Sequence, residues 1–448
     1  ANWALSRGDE AGWLLEVNCY LEHHGVSPVA LGLGGQITSR LRAVGILPPV
    51  TDGPVVSVLM SAWNAESTIE ASVRSILDQT WCRLELLVVD DASTDGTWAL
   101  LQRLAQADSR MRIFRNSVNV GPYVSKNIAV TQADGAWITG HDADDWAHPQ
   151  RIERQVRFCR EQGVTACLAG MLRAAPDGRF VRLNPIGGHV HDGACRNAFI
   201  SLMVDARVFH GGLGFWDEVR VAGDSELLHR LAALQQKPVT SVPVPTMFCL
   251  DNPVGLTNSL TLGHSEQGGI ADDRRAYKTA FEKYHRTIDN MSSRYSFPRA
   301  QRRFRVPRSM VDAGFTITAA IQDHAAKGLR IGREIETDVA IVTNLRFPGG
   351  NASSTLDEIR LFRAQGLKVT LVHAPVRRDI ARSISDRYAD LADIIIDWPR
   401  IESLKARVLI VRHPAVVVAP PFERIASRIT ADFVYVVKNN SQLRSDGS

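Results

Sequence analysis

The six cysteines, Cys19, Cys82, Cys159, Cys167, Cys195 and Cys249, include no C-x-x-C pair. That absence counts against a zinc site and against a secreted disulfide framework, and a reducing compartment is the expectation. There is also no uninterrupted apolar run of the roughly 18 to 20 residues that a membrane span needs. The opening Ala-Asn-Trp-Ala-Leu-Ser-Arg has neither the basic start nor the apolar core of a signal peptide. Charge of one sign is scarce too: 52 Lys+Arg stand against 48 Asp+Glu, a net +4 over 448 residues, too little for a nucleic-acid coat. The remaining composition, 45% apolar and 22% charged, is that of a globular chain and excludes disorder for most of its length. The length suits two or three domains of about 100 to 200 residues. A soluble, cytoplasmic protein without a nucleic-acid partner is expected.

Residues 1–53 place Trp3, Trp13, Leu14, Leu15, Val17 and Leu21 at spacings that suit short helices, closing in a linker marked by Pro48, Pro49 and Gly53. This segment reads as a packing cap or a wall on the acceptor side. From 54 to 290 the pattern becomes strand, turn, helix, repeated. Val55–Met60, Leu84–Asp90, Met111–Arg115 and Ala136–Gly140 read as strands. Ser67-Thr-Ile-Glu70 has the capping-box form that opens a helix, and a helix can begin at Pro149. Such alternation implies a mostly parallel, doubly wound sheet, which binds ligands at the carboxyl ends of its strands. Residues 291–336 read as an Arg-rich helical linker. Its arginines 294, 299, 302, 303, 305 and 308 form either a solvated face or a contact with anionic lipid or a diphosphate-bearing acceptor. Residues 337–440 repeat the alternation as a separate Rossmann-like α/β domain, and 441–448 form a tail.

Chemistry concentrates at three strand ends. His141-Asp-Ala-Asp-Asp-Trp146 puts three carboxylates in four residues. Their mutual repulsion calls for compensation, and a hard divalent cation completed by substrate phosphates supplies it. The alternative is a solvated acidic turn. Val88-Val-Asp-Asp-Ala-Ser-Thr-Asp-Gly-Thr97 ends the second strand, where an acid can accept from a ribose or base N–H. Asp95-Gly96 within it reads as a structural turn. Ser61-Ala-Trp-Asn-Ala-Glu66 follows the first strand, and Trp63 there is able to stack on a flat base or to serve as core.

Together, in this order and spacing, the three motifs resemble the family-2 glycosyltransferases over roughly residues 54–250. The resemblance implies a GT-A nucleotide-diphospho-sugar transferase fold with a Rossmann-like mixed sheet, and a hexosyl-transferring enzyme. It implies a nucleoside-diphosphate sugar donor, usually a uridine one, and Mn²⁺ or Mg²⁺ as cofactor. Position by position, Ser61, Trp63, Glu66, Asp91, Lys126, Asp142, Ala143 and Asp144 would then line the donor site. Asp91 would meet the base or ribose, Lys126 would approach the phosphates, and Asp142 and Asp144 would form the D-x-D, with Asp144 the direct metal ligand. His264 is a further metal or phosphate contact, or else an ordinary surface or core histidine. The sequence departs from the family at Ser61, where many members have Pro, and at Gly140-His141, where an apolar pair is usual.

The family's catalytic base is an acceptor-side Asp, often in a Glu-Asp pair opening a helix. Gly214-Phe-Trp-Asp through Gly223-Asp-Ser-Glu-Leu resembles that segment, with Gly223 replacing the Glu. The resemblance assigns the base to Asp224, with Glu226 as fallback; a plain helix N-cap is the competing role for Asp224. The segment from Thr343 through Gly349-Gly350 resembles the first half of a GT-B glycosyltransferase, and that domain is expected to be catalytically silent. The function implied is a metal-dependent, inverting transfer of a sugar to a hydroxyl of a glycan, lipid-linked or protein acceptor in surface-polysaccharide synthesis. It would act in the cytoplasm or at the inner face of a membrane reached through the 294–308 arginines. Two other readings are a catalytically degenerate nucleotide-sugar-binding scaffold and a sugar nucleotidyltransferase. The loop after the first strand lacks the Gly-rich, basic form that a nucleotidyltransferase uses.

Overall fold

The computed structural model describes residues 1–184, 190–253, 255–259, 261–265, 269–288, 295, 297, 302–311, 314–327, 329, 333–345, 350–374, 388, 391, 395–397, 401–412 and 429–437. Two compact units result, residues 1–295 with 304–323, and residues 296–303 with 324–448. Residues 304–323 therefore belong to the first unit, although the sequence placed them in a linker.

In the first unit, helix α1 (Glu10–His23) starts at Asp9, whose side chain accepts from the Gly12 amide at 2.7 Å. Its buried Trp13, Val17 and Leu21 recur every four residues, one stripe of a helix. That stripe packs against Trp146, Leu172 and Phe248. Trp13 also stacks on Phe180 at 5.6 Å and donates to the Gly178 carbonyl at 3.1 Å. Residues 1–53 are thus a packed part of this unit. Trp13→Ala should cost about 3–5 kcal/mol, the usual loss for truncating a buried Trp, and urea unfolding followed by tryptophan fluorescence measures it.

The next residues build an eight-stranded sheet. Strand β1 (Val56–Ala62) has its first five residues buried, as a central parallel strand covered on both faces requires. It is joined by β2 (Leu84–Asp90), β3 (Met111–Arg115), β4 (Trp137–Asp142), β5 (Trp146–Ala147), β6 (Ala166–Ala174), β7 (Arg196–Asp205) and β8 (Thr240–Leu250). The order is β3-β2-β1-β4-β7-β6-β8-β5. β3, β2, β1 and β4 are parallel, β7 runs antiparallel to both β4 and β6, and β5 pairs antiparallel with β8. Helices α2 (Ile69–Leu77), α3 (Thr97–Ala107), α4 (Pro122–Thr131) and α5 (Arg151–Gln162) connect the strands. This mixed α/β sheet is the GT-A type of fold.

Two local expectations differ. No capping box forms: Thr68 stands at the N-cap of α2 without a side-chain cap bond. Glu70 instead bonds Arg74 one turn on and Arg103 of α3. β4 also runs past Gly140 to Asp142, so His141 and Asp142 are strand residues, and Ala143 and Asp144 form the turn that follows. Helices α6 (Gly223–Gln235) and α7 (Asp272–His285) complete the part of this unit that shapes the site.

The second unit holds a five-stranded, all-parallel sheet. Its strands are β9 (Arg333–Thr343), β10 (Val369–His373), β11 (Ile395–Asp397), β12 (Ile401–Arg412) and β13 (Ile429–Val437), in the order β11-β10-β9-β12-β13. Helix α8 (Gly350–Ala364) covers one face through Ile359. The Gly349 turn that carried the GT-B likeness lies outside the described residues, as does the 441–448 tail.

Candidate active site

Parallel register brings the carboxyl ends of β2, β1 and β4 to one edge. Ala62 lies opposite Asp90, and Ser61 lies opposite both Val89 and Asp142. Ser61 is half-buried there, and Trp63, one residue beyond the strand, is 56% exposed. Glu66 faces the loop after β2, where its carboxylate accepts from the Gly96 amide at 3.0 Å and its own amide donates to Asp95. Glu66 and Asp95 therefore stitch two loops together. This accounts for Asp95-Gly96 as structure.

Asp91 is likewise committed to the chain. It is buried, with Oδ1 accepting from Asn116 Nδ2 and the Val120 amide and Oδ2 from the Gly121 amide, at 2.8, 2.9 and 2.8 Å. These bonds fix the turn into α4. Its neighbour Asp90 differs. One oxygen meets Arg115 Nε at 3.0 Å, and the other, Oδ1, has no hydrogen-bond partner. Burial raises the Asp90 pKa against the pull of Ser93 and Arg115. Both aspartates are buried, and burial alone does not separate their roles.

Lys126, almost wholly buried on α4, reaches Asp142 at 3.2 Å and Asp224 at 3.9 Å. Burial works against its charge, but Asp142 and Asp224 outweigh that, and its pKa rises above the ordinary lysine value. Asp142 keeps 44% of its side chain exposed toward the crevice. Ala143 is buried beneath it. Asp144 is half-buried by surface yet crowded by protein atoms, and its pKa is pushed well up by burial and then by Asp145 and Asp142. Burial and Asp142 raise the buried Asp145 to about 6, although it accepts from the Leu250 amide at 2.9 Å.

Behind these carboxylates lies Arg151, a residue that the sequence did not single out. It is fully buried, with only neutral partners: His141 Nδ1, Thr139 Oγ1, the Gly140 carbonyl and Gln155. Burial lowers its pKa to about 10 while the field of Asp145 and Asp142 opposes the drop. His141 is the inner partner of this cation, held neutral by burial and by Arg151. Gly140 is required by space, since a Cβ there would sit 2.6 Å from the Ile200 carbonyl of β7. The two family departures before the D-x-D are thus a matter of packing.

Asp224 occupies the second turn position of α6. Ala222 is the N-cap, so the plain-cap role is not the one the structure shows. Its Oδ1 accepts from Trp216 Nε1 at 3.0 Å and its Oδ2 from the Tyr123 hydroxyl at 3.2 Å, with 18% of the side chain exposed. Burial raises its pKa, Lys126 lowers it, and Asp142 raises it again; the net direction is upward. Gly223 explains the missing Glu: a Cβ there would meet the Tyr123 ring at 2.7 Å. Trp216 is held in turn by two backbone bonds to the Asn127 side chain, at 2.9 and 3.0 Å. Glu226 is corrected. It is fully buried between Arg230 at 3.1 Å and His285 at 3.0 Å, a structural ion pair away from the crevice. His264 lies in a two-residue strand opposite Ile270, and its side chain falls outside the described residues.

The residues suit a hard cation. Asp142 and Asp144 offer carboxylate oxygens to the crevice, and among the described residues Asp144 makes no ion pair, although Arg173 acts on it from a distance. Among the described residues no three ligating side chains converge closely enough to hold an ion unaided. That agrees with one or two carboxylates completed by a phosphate ligand.

Residues 57–205 match the family model described as "Glycosyl transferase family 2". That stretch gives the chain a likeness to the family 2 glycosyl transferases over part of its length. Among curated relatives, a putative teichuronic acid biosynthesis glycosyltransferase of Bacillus subtilis is 32% identical over 34% of this chain and 62% of its own length. A UDP-Glc:α-D-GlcNAc-diphosphoundecaprenol β-1,3-glucosyltransferase of Escherichia coli is 34% identical over 25% of this chain and 43% of its own. Matched relatives are spanned over 36% to 62% of their lengths. The solved structure of Staphylococcus aureus TarS 1–349 with UDP shares 18% identity over 44% of this chain and 61% of that one, at a TM-score of 0.37.

Proposed function

We propose that this protein is an inverting family 2 glycosyltransferase that moves a sugar from a uridine-diphosphate sugar to a hydroxyl of a surface-glycan acceptor. The observation that carries the reading is Asp224, a carboxylate with a raised pKa, held by Trp216 and Tyr123 at the crevice beside Lys126. A general base needs this combination of fixed position and elevated basicity. Trp63 supplies an exposed ring for the base, and Asp91, just after β2, is the acid assigned to the base or ribose. Asp224 takes the proton of the acceptor hydroxyl as that oxygen attacks the anomeric carbon opposite the leaving diphosphate, which inverts the centre. Lys126 balances charge between Asp142 and Asp224. A divalent cation, Mn²⁺ or Mg²⁺, held by Asp142 and Asp144 would stabilise the negative charge of the leaving diphosphate. The relatives' names support a nucleotide-sugar donor and polysaccharide synthesis.

A panel of nucleotide sugars, with Mn²⁺ or with EDTA, tests the reading by release of the nucleoside diphosphate. Release from no uridine sugar in the presence of surface-glycan acceptors would contradict it. Lys126→Met gives a further check. Lys126 lowers the Asp224 pKa, so its loss leaves burial and Asp142 to raise it further. Asp224 is active when deprotonated, so the acidic limb of kcat/KM should move to higher pH in the variant. An unmoved limb, with folding intact by circular dichroism, would remove Lys126 from this role. Among the described residues no helix is long and apolar enough to cross a membrane.

A further inference from the structure

Arg173 and Arg196 share the face of the sheet that carries Cys249, and Arg182 and Arg274 act on them from a loop and a helix. Arg173 ends β6 opposite Cys249, Arg196 opens β7, Arg182 lies in the loop between them, and Arg274 lies in the first turn of α7. One carboxylate answers for two of them: Asp251 Oδ1 meets Arg173 Nε at 3.3 Å and Arg182 Nε at 3.0 Å. Arg182 also donates to Asn258 at 2.6 Å. Arg196 donates to the Arg182 carbonyl at 3.3 Å and has no ion-pair partner among the described residues.

Arg274 is the least compensated. Asp272 and Asp273 share its turn, but no carboxylate of the described residues lies within ion-pair distance of it. A cation in the first helical turn also faces the positive end of the helix dipole. Burial lowers its pKa, and Arg182 and Arg173 lower it further, while Tyr123 and Asp224 oppose them. Arg274 therefore stands in the field of both the catalytic aspartate and the arginine cluster. Arg173 in turn acts on Asp144 and Asp145, so the cluster lies alongside the site of sugar transfer.

The backbone supports a built feature. Arg182 is buried and has a φ of 56°, in the left-handed region that non-glycine residues seldom adopt. Such strain tends to accompany functional sites. Arg173 and Arg182 share the Asp251 carboxylate, Arg196 bonds the Arg182 carbonyl, and a multivalent anion suits the charge of such a group. Planar guanidinium forks suit phosphate oxygens best.

We propose that Arg173, Arg182, Arg196 and Arg274 form a phosphate-binding site next to Asp224 that takes the diphosphate of a phosphate-bearing acceptor. The inference rests on the glycosyltransferase reading for its biological sense, but the anion site itself is testable without turnover. Inorganic pyrophosphate is titrated by calorimetry into the full chain in EDTA, and again into chain saturated with UDP and Mn²⁺. Wild type, Arg274→Ala, Arg196→Ala and Arg274→Lys are compared.

Pyrophosphate should bind wild type, and Arg274→Ala should weaken it by roughly 10- to 100-fold, the usual loss of a charged hydrogen bond. Arg274→Lys should recover part of that loss. Binding that persists beside UDP assigns the site to the acceptor's diphosphate. Binding that UDP abolishes keeps the arginine–phosphate chemistry but overturns the acceptor assignment, because the donor then occupies the cluster. No pyrophosphate binding, or equal affinity in wild type, Arg274→Ala and Arg196→Ala, overturns the site altogether. A protein that binds pyrophosphate through these arginines yet transfers no sugar would leave this site standing while the activity reading falls.

Discussion

Asp224→Asn should reduce turnover by roughly 10²- to 10⁴-fold, the range of a lost general base, with UDP affinity in Mn²⁺ nearly unchanged. Asn preserves the local frame. Its amide oxygen can still accept from Trp216 Nε1, and its amide nitrogen can donate to the Tyr123 hydroxyl. What it cannot do is accept the proton of an attacking hydroxyl at neutral pH. The pH profile supplies an independent readout. Burial sets the Asp224 pKa above the ordinary carboxylate value, so wild-type kcat/KM should fall as pH drops through that raised pKa. The residual rate of the Asn variant should be flat across the same interval. Glu226→Gln serves as the contrast. It removes the charge between Arg230 and His285, so it should lower the unfolding midpoint more than the rate of the molecules that remain folded. Near-normal turnover by Asp224→Asn would place the base on another residue.

Much of this arrangement was legible in the residues. Apolar runs such as Val56–Met60 and Leu84–Val89 can only be central strands, and the turns after them must then carry the polar chemistry to one edge. Long buried strands announce themselves by composition, which is why the parallel half of the sheet and the whole of the second one could be anticipated. The two-residue strand at Trp146–Ala147 could not be. It exists because Phe248 and Met247 of β8 arrive beside it from a hundred residues away.

Side-chain roles were less legible than strand positions. Asp90 and Asp91 are identical in sequence terms, and the structure buries both, one against Arg115 and one on the amides of Val120 and Gly121. Asp224 and Glu226 differ in the same manner. Both are acids in the first turn of α6, but only Asp224 meets Trp216, Tyr123 and Lys126. Arg151 gave no signal, because an arginine at the start of an amphipathic helix looks like surface. Its burial follows from the polar lining provided by Thr139, Gly140 and His141 on the strand beneath. The glycines at 140 and 223 likewise become intelligible only when the Ile200 carbonyl and the Tyr123 ring are in place.

Asp144→Asn should lower turnover by about 10²- to 10³-fold, the scale of removing an electrostatic contact to developing charge, and it should weaken UDP binding in Mn²⁺ as well. Its effect on folding separates this role from a structural one. The Asp144 pKa is raised by burial, by Asp145 and by Asp142, so the folded chain binds its proton more tightly than the unfolded chain does. By linkage, stability falls as pH rises from the unfolded carboxylate value toward the raised folded one. Asn mimics the protonated form, so in EDTA at neutral pH the variant should be at least as stable as wild type. Wild type should gain thermal stability when Mn²⁺ is added, because the cation relieves the repulsion among Asp142, Asp144 and Asp145, and the variant should lose most of that gain. A variant that is less active and less stable in EDTA would point to packing at Asp144. Equal UDP affinity for wild type in Mn²⁺ and in EDTA would remove the cation from the site, leaving Lys126 and the arginines to hold the diphosphate alone.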